Sequence, residues 1–179
     1  MLGGNLVTFS SWDEHVYITT LTSGQYWIGL VNEGYFSSNG NEGLINNNII
    51  EVGSATLDRK VANFARDNNL ANLEFLACIP GSIGGAIIMN SGCYENDISQ
   101  VLLSIQVIDK DNLNEREIKK EDIKFLYRGT NLTEDLIIIS AKFEGSTSDK
   151  DKITKKQSNL IERKKLSQPS QIKTCGSTF

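Results

Sequence analysis

Three features of this 179-residue sequence predict an α+β fold. Apolar residues alternate with strand-like spacing in several short runs, of which 101–109 is the longest. Between these runs, residues 56–70 carry apolar side chains at helical spacing, and a second helical pattern covers 153–165. Neither the Gly-x-Gly-x-x-Gly dinucleotide fingerprint nor the Gly-Lys-Ser/Thr phosphate loop occurs, so a Rossmann domain is not supported.

Composition narrows the class of protein. The 39% apolar and 22% charged content is typical of a globular chain. Residues 1–150 are acidic, whereas seven of the eighteen Lys and Arg residues lie in 151–179, a balance that disfavours a nucleic-acid binder. No apolar run is long enough to span a membrane, and the N-terminus lacks the pattern of a signal peptide, so we expect no membrane association and a cytoplasmic location.

Cysteine and histidine content argues against several kinds of site. The three cysteines, Cys78, Cys93 and Cys175, form no C-x-x-C pair, so we predict no metal site, no disulfide framework, and plain packing roles. His15 is the only histidine, and a structural or solvent-facing role is expected for it. A Ser-His-Asp mechanism would need that single residue as its base, which nearly excludes it.

Each element has its own signal. Short apolar runs separated by Gly, Ser and Asn predict small strands over the first 45 residues, and "NIIEVG" predicts another. The helix over 56–70 is expected to bury one face and to use Thr56 as its cap. That face is expected to hold Leu57, Val61, Phe64 and Ala65.

The second half of the chain is predicted to be mostly strands. In 101–109 one face holds Val101, Leu103, Ile105 and Val107, whereas "DLIIISAKFEG" is apolar on both faces and predicts a buried strand. Between them, "KKEDIKFLYRG" is a polar turn that ends in an aromatic residue and a cation. The basic segment "ITKKQSNLIERKK" predicts a helix.

The segment "EFLACIPGSIGGAIIMNSGCYEND" (74–97) is too glycine-rich for an ordinary helix or strand and too apolar for a surface loop. Glycines in a row cost backbone entropy, so a stable protein keeps them where the backbone turns or closely approaches another group. That group is either protein, in a tight buried turn, or a flat, partly apolar ligand with a phosphate. Composition leaves both interpretations open.

Three motifs, in order and spacing, resemble the UDP-N-acetylenolpyruvoylglucosamine reductase family of flavoenzymes over about residues 49–179. They are "LEFLACIPGSIGGAIIMNSGCYENDI", "IKFLYRGTNL" and "RKKLSQPSQIKTCGSTF". The resemblance implies an FAD-binding fold of the vanillyl-alcohol-oxidase type, with two α+β lobes around FAD and a third lobe for substrate. It implies a first lobe over 1–56, a second over 57–150, and the start of the substrate lobe over 151–179.

The resemblance also implies the cofactor contacts. A shortened pyrophosphate loop near the N-terminus and the glycine segment would together bind FAD, through Gly3, Gly4, Asn5, Ile79, Pro80, Gly81, Ser82, Gly84, Gly85, Asn90 and Gly92.

The implied reaction converts UDP-N-acetylglucosamine enolpyruvate to UDP-N-acetylmuramate in peptidoglycan synthesis, with NADPH as reductant. Arg128 matches the arginine that polarises the substrate carboxylate, a role that suits a planar, permanently charged guanidinium. Ser177 matches the serine that protonates the substrate carbon, and Lys165 stands where some members have a substrate-binding lysine.

Two alternatives stand beside this reading. One is a non-catalytic α+β remnant of a flavoenzyme that binds a nucleotide or a protein partner. The other is a flavin oxidase of the same superfamily, disfavoured because no His or Cys lies where flavin is attached covalently. The chain ends at Phe179, inside the family's Gly-Ser-x-Phe-Lys-Asn-Pro motif. We therefore expect a substrate lobe that is largely missing, and a 179-residue chain that does not turn over by itself.

Overall fold

The structure, a computed structural model, describes residues 45–46 and 48–168. The strands predicted before residue 45 therefore lie outside the described residues, as do Gly3, Gly4, Asn5, His15, Cys175 and Ser177. The elements in chain order are β1 (Ile45–Asn46), β2 (Ile49–Gly53), α1 (Asp58–Asp67), β3 (Leu70–Ala71), α2 (Ile83–Ile88), β4 (Gly92–Cys93), β5 (Asn96–Asp97), α3 (Ile98–Val101), β6 (Leu102–Asp109), β7 (Glu115–Lys119), β8 (Phe125–Leu126), β9 (Gly129–Thr130), β10 (Leu136–Glu144), β11 (Ser146–Thr147) and α4 (Lys150–Ser167). Two short 3-10 helices, Glu74–Cys78 and Lys120–Asp122, complete the described part.

The architecture is α+β, as the sequence predicts. Five antiparallel strands form the main sheet in the order β1-β2-β10-β6-β7. β10 lies at its centre, where Phe143 pairs with Ile50 of β2 and Ala141 pairs with Ile105 of β6. These four side chains are all buried, in agreement with the prediction of a buried strand over 135–145, although Leu136, Ile137 and Ile138 at its start are only half-buried.

The first helix departs from its prediction at its start. α1 begins at Asp58, and its N-cap is Leu57 rather than Thr56, with no side-chain hydrogen bond to the cap. Leu57 is 47% exposed, so its predicted place on the buried face is wrong. The buried face instead consists of Asp58, Val61, Ala62 and Ala65.

The glycine segment is partly helical. Residues Glu74–Cys78 form a 3-10 helix and Ile83–Ile88 form α2, which contains Gly84 and Gly85. Our expectation that the glycines exclude helix was wrong here, because Ile83, Ala86 and Ile87 give α2 a buried apolar side that offsets the low propensity of glycine.

The basic helix α4 packs against the body of the protein. Asp149 caps it by accepting hydrogen bonds from the backbone N–H groups of Asp151 (2.9 Å) and Lys152 (3.3 Å). Ile153 and Gln157 are buried against the 3-10 helix at 74–78 and α1. The segment predicted to open a third lobe therefore also covers the second.

Candidate functional site

Backbone hydrogen bonds fix the glycine segment to the connection between β2 and α1. Gly81 O accepts from Asp58 N (3.1 Å), Ile83 N donates to Thr56 O (3.0 Å), and Gly84 N donates to Ser54 O (2.6 Å). Three bonds within four residues hold the two stretches in register. The surface that this segment presents is thus supported by regular structure on its inner side.

Two of the candidate glycines are required by the fold itself. A Cβ on Gly84 would lie 3.2 Å from Ser54 Cβ and 3.3 Å from Ser54 O. A Cβ on Gly92 would lie only 2.5 Å from Asn96 O, inside the β4–β5 hairpin. At these two positions the close approach is to protein, so the tight-turn interpretation explains the glycines.

We expect Gly84→Ala to destabilise the protein by about 1–3 kcal/mol, the usual cost of adding a methyl group to a packed site. The strain arises because Ser54 contributes backbone as well as side chain to the contact and cannot move aside freely. Urea unfolding followed by circular dichroism measures this loss. A Gly84→Ala variant as stable as the wild type would contradict the close contact.

The outer side of the same segment is open. A Cβ on Gly85 would meet only Ser82 Oγ, at 3.9 Å, and Pro80 and Gly81 are exposed. At the end of α2, Ile88 and Met89 are exposed as well. Bare glycine backbone beside exposed apolar side chains fits a flat, partly apolar ligand. The tight-turn interpretation therefore explains Gly84 and Gly92, whereas a ligand contact stays a prediction for Gly81 and Gly85.

Arg128 lies at the tip of the β8–β9 hairpin, where Leu126 pairs with Gly129. Its φ is 59°, a left-handed conformation that is unfavourable for a side chain other than glycine. Its guanidinium carbon lies 5.4 Å from the ring centroid of Tyr127, and that tyrosine is 91% exposed. Arg128 is itself exposed, so the hairpin presents a cation and an aromatic ring to solvent.

Two hydrogen bonds tie this hairpin to the end of the glycine segment. Asn90 Nδ2 donates to Leu126 O (3.4 Å), and Thr130 Oγ1 donates to Ile88 O (3.3 Å). Asn90 Oδ1 also accepts a hydrogen bond from Ser99 N (3.1 Å). The donor and the acceptor of the Asn90 side-chain amide are therefore both hydrogen-bonded to protein. Sequence reasoning predicted a cofactor contact for Asn90 and overlooked Thr130. The structure thereby attaches the hairpin that carries Arg128 to the end of the glycine segment.

Three basic side chains of α4 are engaged with other parts of the protein. Lys156 pairs with the buried Glu74 (3.2 Å), Arg163 stacks on Tyr94 at 4.3 Å, and Lys164 donates to Cys78 O. Lys165, the predicted substrate contact, is exposed at the end of the helix. Among the basic residues from 163 to 165, Lys165 is therefore the best placed to meet a ligand.

The cysteines near the segment pack as predicted. Cys78 is buried and Cys93 is half-buried against the core. Burial, followed by the neighbouring Cys93 thiol, raises the pKa of the Cys78 thiol to about 11, so this thiol stays neutral. Within residues 45–46 and 48–168, no group of three or more His, Cys, Asp or Glu side chains could hold a metal ion. No helix in the same residues is both long and apolar enough to cross a membrane.

Asp58 is a second residue beside the glycine segment that sequence reasoning missed. Its side chain is 0% exposed, neither carboxyl oxygen has a hydrogen-bond partner among the described residues, and Oδ2 lies 3.1 Å from where a Cβ on Gly81 would be. Burial raises its pKa to about 7. The available signal was its position, since Asp58 stands three and seven residues before Val61 and Ala65, on the apolar face.

The sequence of this chain is similar to those of known flavin-binding proteins. Residues 37–112 match the family model described as FAD binding domain, which covers the glycine segment. The UDP-N-acetylenolpyruvoylglucosamine reductase of Pelagibacter ubique (strain HTCC1062) is 44% identical over 139 residues, which are 78% of this chain and 46% of the relative. That of Maricaulis maris (strain MCS10) is 38% identical over 131 residues, covering 73% and 41%.

A solved structure of a protein with the same enzyme name is similar to this chain. The crystal structure of UDP-N-acetylenolpyruvylglucosamine reductase (MurB) from Thermus caldophilus is similar with a TM-score of 0.61 and 25% identity, covering 67% of this chain and 44% of that one. The chain spans a little under half the length of the curated relatives that it matches. Over the residues that it shares with them, the chain belongs to the UDP-N-acetylenolpyruvoylglucosamine reductase family and carries an FAD-binding domain.

Proposed function

We propose that this chain is the flavin-contacting part of a reductase that converts UDP-N-acetylglucosamine enolpyruvate to UDP-N-acetylmuramate, with NADPH as reductant. The observation that carries the proposal is the tether of the Arg128 hairpin to the glycine segment through Asn90 and Thr130. The names of the relatives support the substrate, a UDP-linked amino sugar. A cytoplasmic location is part of the proposal.

The glycine segment fits FAD on its open side. Pro80, Gly81 and Gly85 leave the backbone uncovered, and Ile79 is half-buried beside them. These residues, with Ser82, would hold the cofactor. Gly84, Asn90 and Gly92 would support this surface from within the protein, while Gly3, Gly4 and Asn5 remain predicted contacts outside the described residues.

Bound FAD would supply hydride transfer, from NADPH to the enolpyruvyl double bond. The chain's own residues then have three tasks. Arg128 places fixed positive charge at the substrate carboxylate, where negative charge grows in the transition state. Ser177 donates the proton to the neighbouring carbon, and Lys165 binds the substrate. A serine can donate this proton only in a dry site whose cations stabilise the serine alkoxide that is left behind.

Gly85→Ala tests the open surface without disturbing the fold. The added methyl group has room in the protein, and alanine favours helix over glycine by about 0.5–1 kcal/mol, so stability should be equal or higher. The same methyl group would stand where FAD packs, so we expect FAD affinity to fall by about tenfold or more, roughly 1.4 kcal/mol. Titration by flavin fluorescence gives the affinity, and thermal unfolding gives the stability.

Gly145→Ala is the matched control. Its Cβ would lie 2.9 Å from Leu70 Cβ, in contact with a different part of the protein. It should therefore lose stability without a specific loss of FAD affinity in the folded fraction. If Gly85→Ala bound FAD as tightly as the wild type, the proposed contact would be wrong.

A further inference from the structure

A buried carboxyl group lies directly beneath the candidate cofactor surface. The Asp58 side chain is fully buried at the start of α1, and its Oδ2 is within 3.1 Å of the position that a Gly81 Cβ would take. Asp58 N also donates to Gly81 O at 3.1 Å. Main chain and side chain of Asp58 thus both contact the residue whose outer side is exposed.

Neither oxygen of the Asp58 carboxyl has a hydrogen-bond partner among the described residues. Two cations of α4, which packs against α1 and the 74–78 helix, are engaged elsewhere, Lys156 with Glu74 and Lys164 with Cys78 O. The segment from Ile79 to Ser82 has no titratable side chain, and neither has the connection from Gly53 to Leu57. Cys78, just before the segment, keeps its proton because its pKa is about 11. Arg59 and Lys60 follow on α1, yet burial is the cause that sets the pKa of Asp58, raising it to about 7. The carboxyl group is therefore neutral in mild acid and ionised in mild base.

We propose that Asp58 is a pH-sensitive positioning residue, whose carboxyl group must be protonated for the glycine segment to bind FAD tightly. The inference rests on the proposed function. FAD is an anion, and a ligand over Gly81 also removes water from this region. Both effects make an ionised Asp58 more costly in the complex than in the free protein. Binding then takes up a proton, and affinity falls as pH rises through neutrality.

The test measures FAD dissociation constants by fluorescence titration from about pH 6 to pH 8.5 for three proteins. In the wild type we expect the dissociation constant to rise by about tenfold or more, the limit being tenfold per pH unit. In Asp58→Asn, which keeps the shape but cannot ionise, it should stay within about twofold across the range. Asp67→Asn, the control, removes an exposed carboxylate paired with Arg66 and Lys150 and should follow the wild type.

A second measurement needs no variant. Calorimetric titration of the wild type with FAD at about pH 7.5, in two buffers of different ionisation enthalpy, should show net proton uptake. A pH-independent dissociation constant in the wild type, or proton release on binding, would overturn this inference alone. No FAD binding at any pH would overturn the proposed function, and the inference with it.

Discussion

Asp58→Asn is expected to stabilise the ligand-free protein at pH 8 by up to about 4 kcal/mol, and to leave it nearly unchanged at pH 4. The pKa of this carboxyl is about 7 in the folded protein, against an ordinary value of 3.8. Between these values the folded state holds a proton that the unfolded state has lost, so wild-type stability falls with rising pH, by at most about 1.4 kcal/mol per unit. Above pH 7 the loss is complete.

Urea unfolding of the wild type and of Asp58→Asn at several pH values gives the free energy of unfolding of each protein. The difference between the two free energies cancels the contribution of the other titrating groups. Asp67→Asn provides a control of opposite sign. Burial is the largest single influence on the pKa of Asp67 and raises it, but the hydrogen bonds from Lys150 and Arg66 and their positive charges together outweigh burial and lower this pKa. The charge of Asp67 therefore stabilises the fold once ionised, and this stabilisation is lost in acid. An Asp58→Asn variant that was less stable than the wild type at pH 8 would mean that the ionised carboxylate has a partner.

Arg128→Gly is expected to separate stability from activity. Glycine removes the strain of a side chain at φ 59°, so the protein should gain about 1 kcal/mol. Loss of the guanidinium should slow flavin reoxidation by the enolpyruvyl substrate by about 100-fold or more, the scale of one lost oxyanion partner. Leu113→Gly, at an exposed turn with φ 58°, should gain similar stability without loss of rate.

The same assay tests Ser177. In Ser177→Ala, NADPH should reduce the flavin at a normal rate, whereas reoxidation by substrate should slow by about 100-fold, as expected for a lost general acid. Stopped-flow absorbance follows each half-reaction separately, for the Arg128 and Ser177 variants alike, in a fusion of this chain to the part of the Pelagibacter ubique relative that it does not span. Equal slowing of both halves would point to a structural role for Ser177. A wild-type fusion that binds FAD but is never reoxidised by this substrate would contradict the proposed activity.

The sequence predicted those elements whose signals are local. The central strand β10 follows from an apolar run, and α4 from the helical pattern of the basic segment at 153–165. The start of α1 was misplaced because Leu57 forms a bridge with Ser82, twenty-five residues away. No local pattern contains that contact.

The candidate site was predictable only where its signals are local in the sequence. Glycine spacing and family motifs identify the segment and Arg128, but they do not distinguish Gly84, which contacts Ser54, from Gly85, which is open. The tether through Asn90 and Thr130 depends on hydrogen bonds across 36 and 42 residues of sequence. The meaning of Asp58 depends on burial, which only the packed structure reveals.

The most direct test is an equilibrium titration of the 179-residue chain with FAD at about pH 6.5, where Asp58 is largely protonated. Flavin fluorescence and the absorbance band near 450 nm report binding. We expect saturation at about one FAD per chain, with a rise in the unfolding temperature as FAD concentration increases. A chain that is folded by circular dichroism, yet leaves the flavin spectrum and its own unfolding temperature unchanged, would contradict the assignment of the glycine segment to FAD.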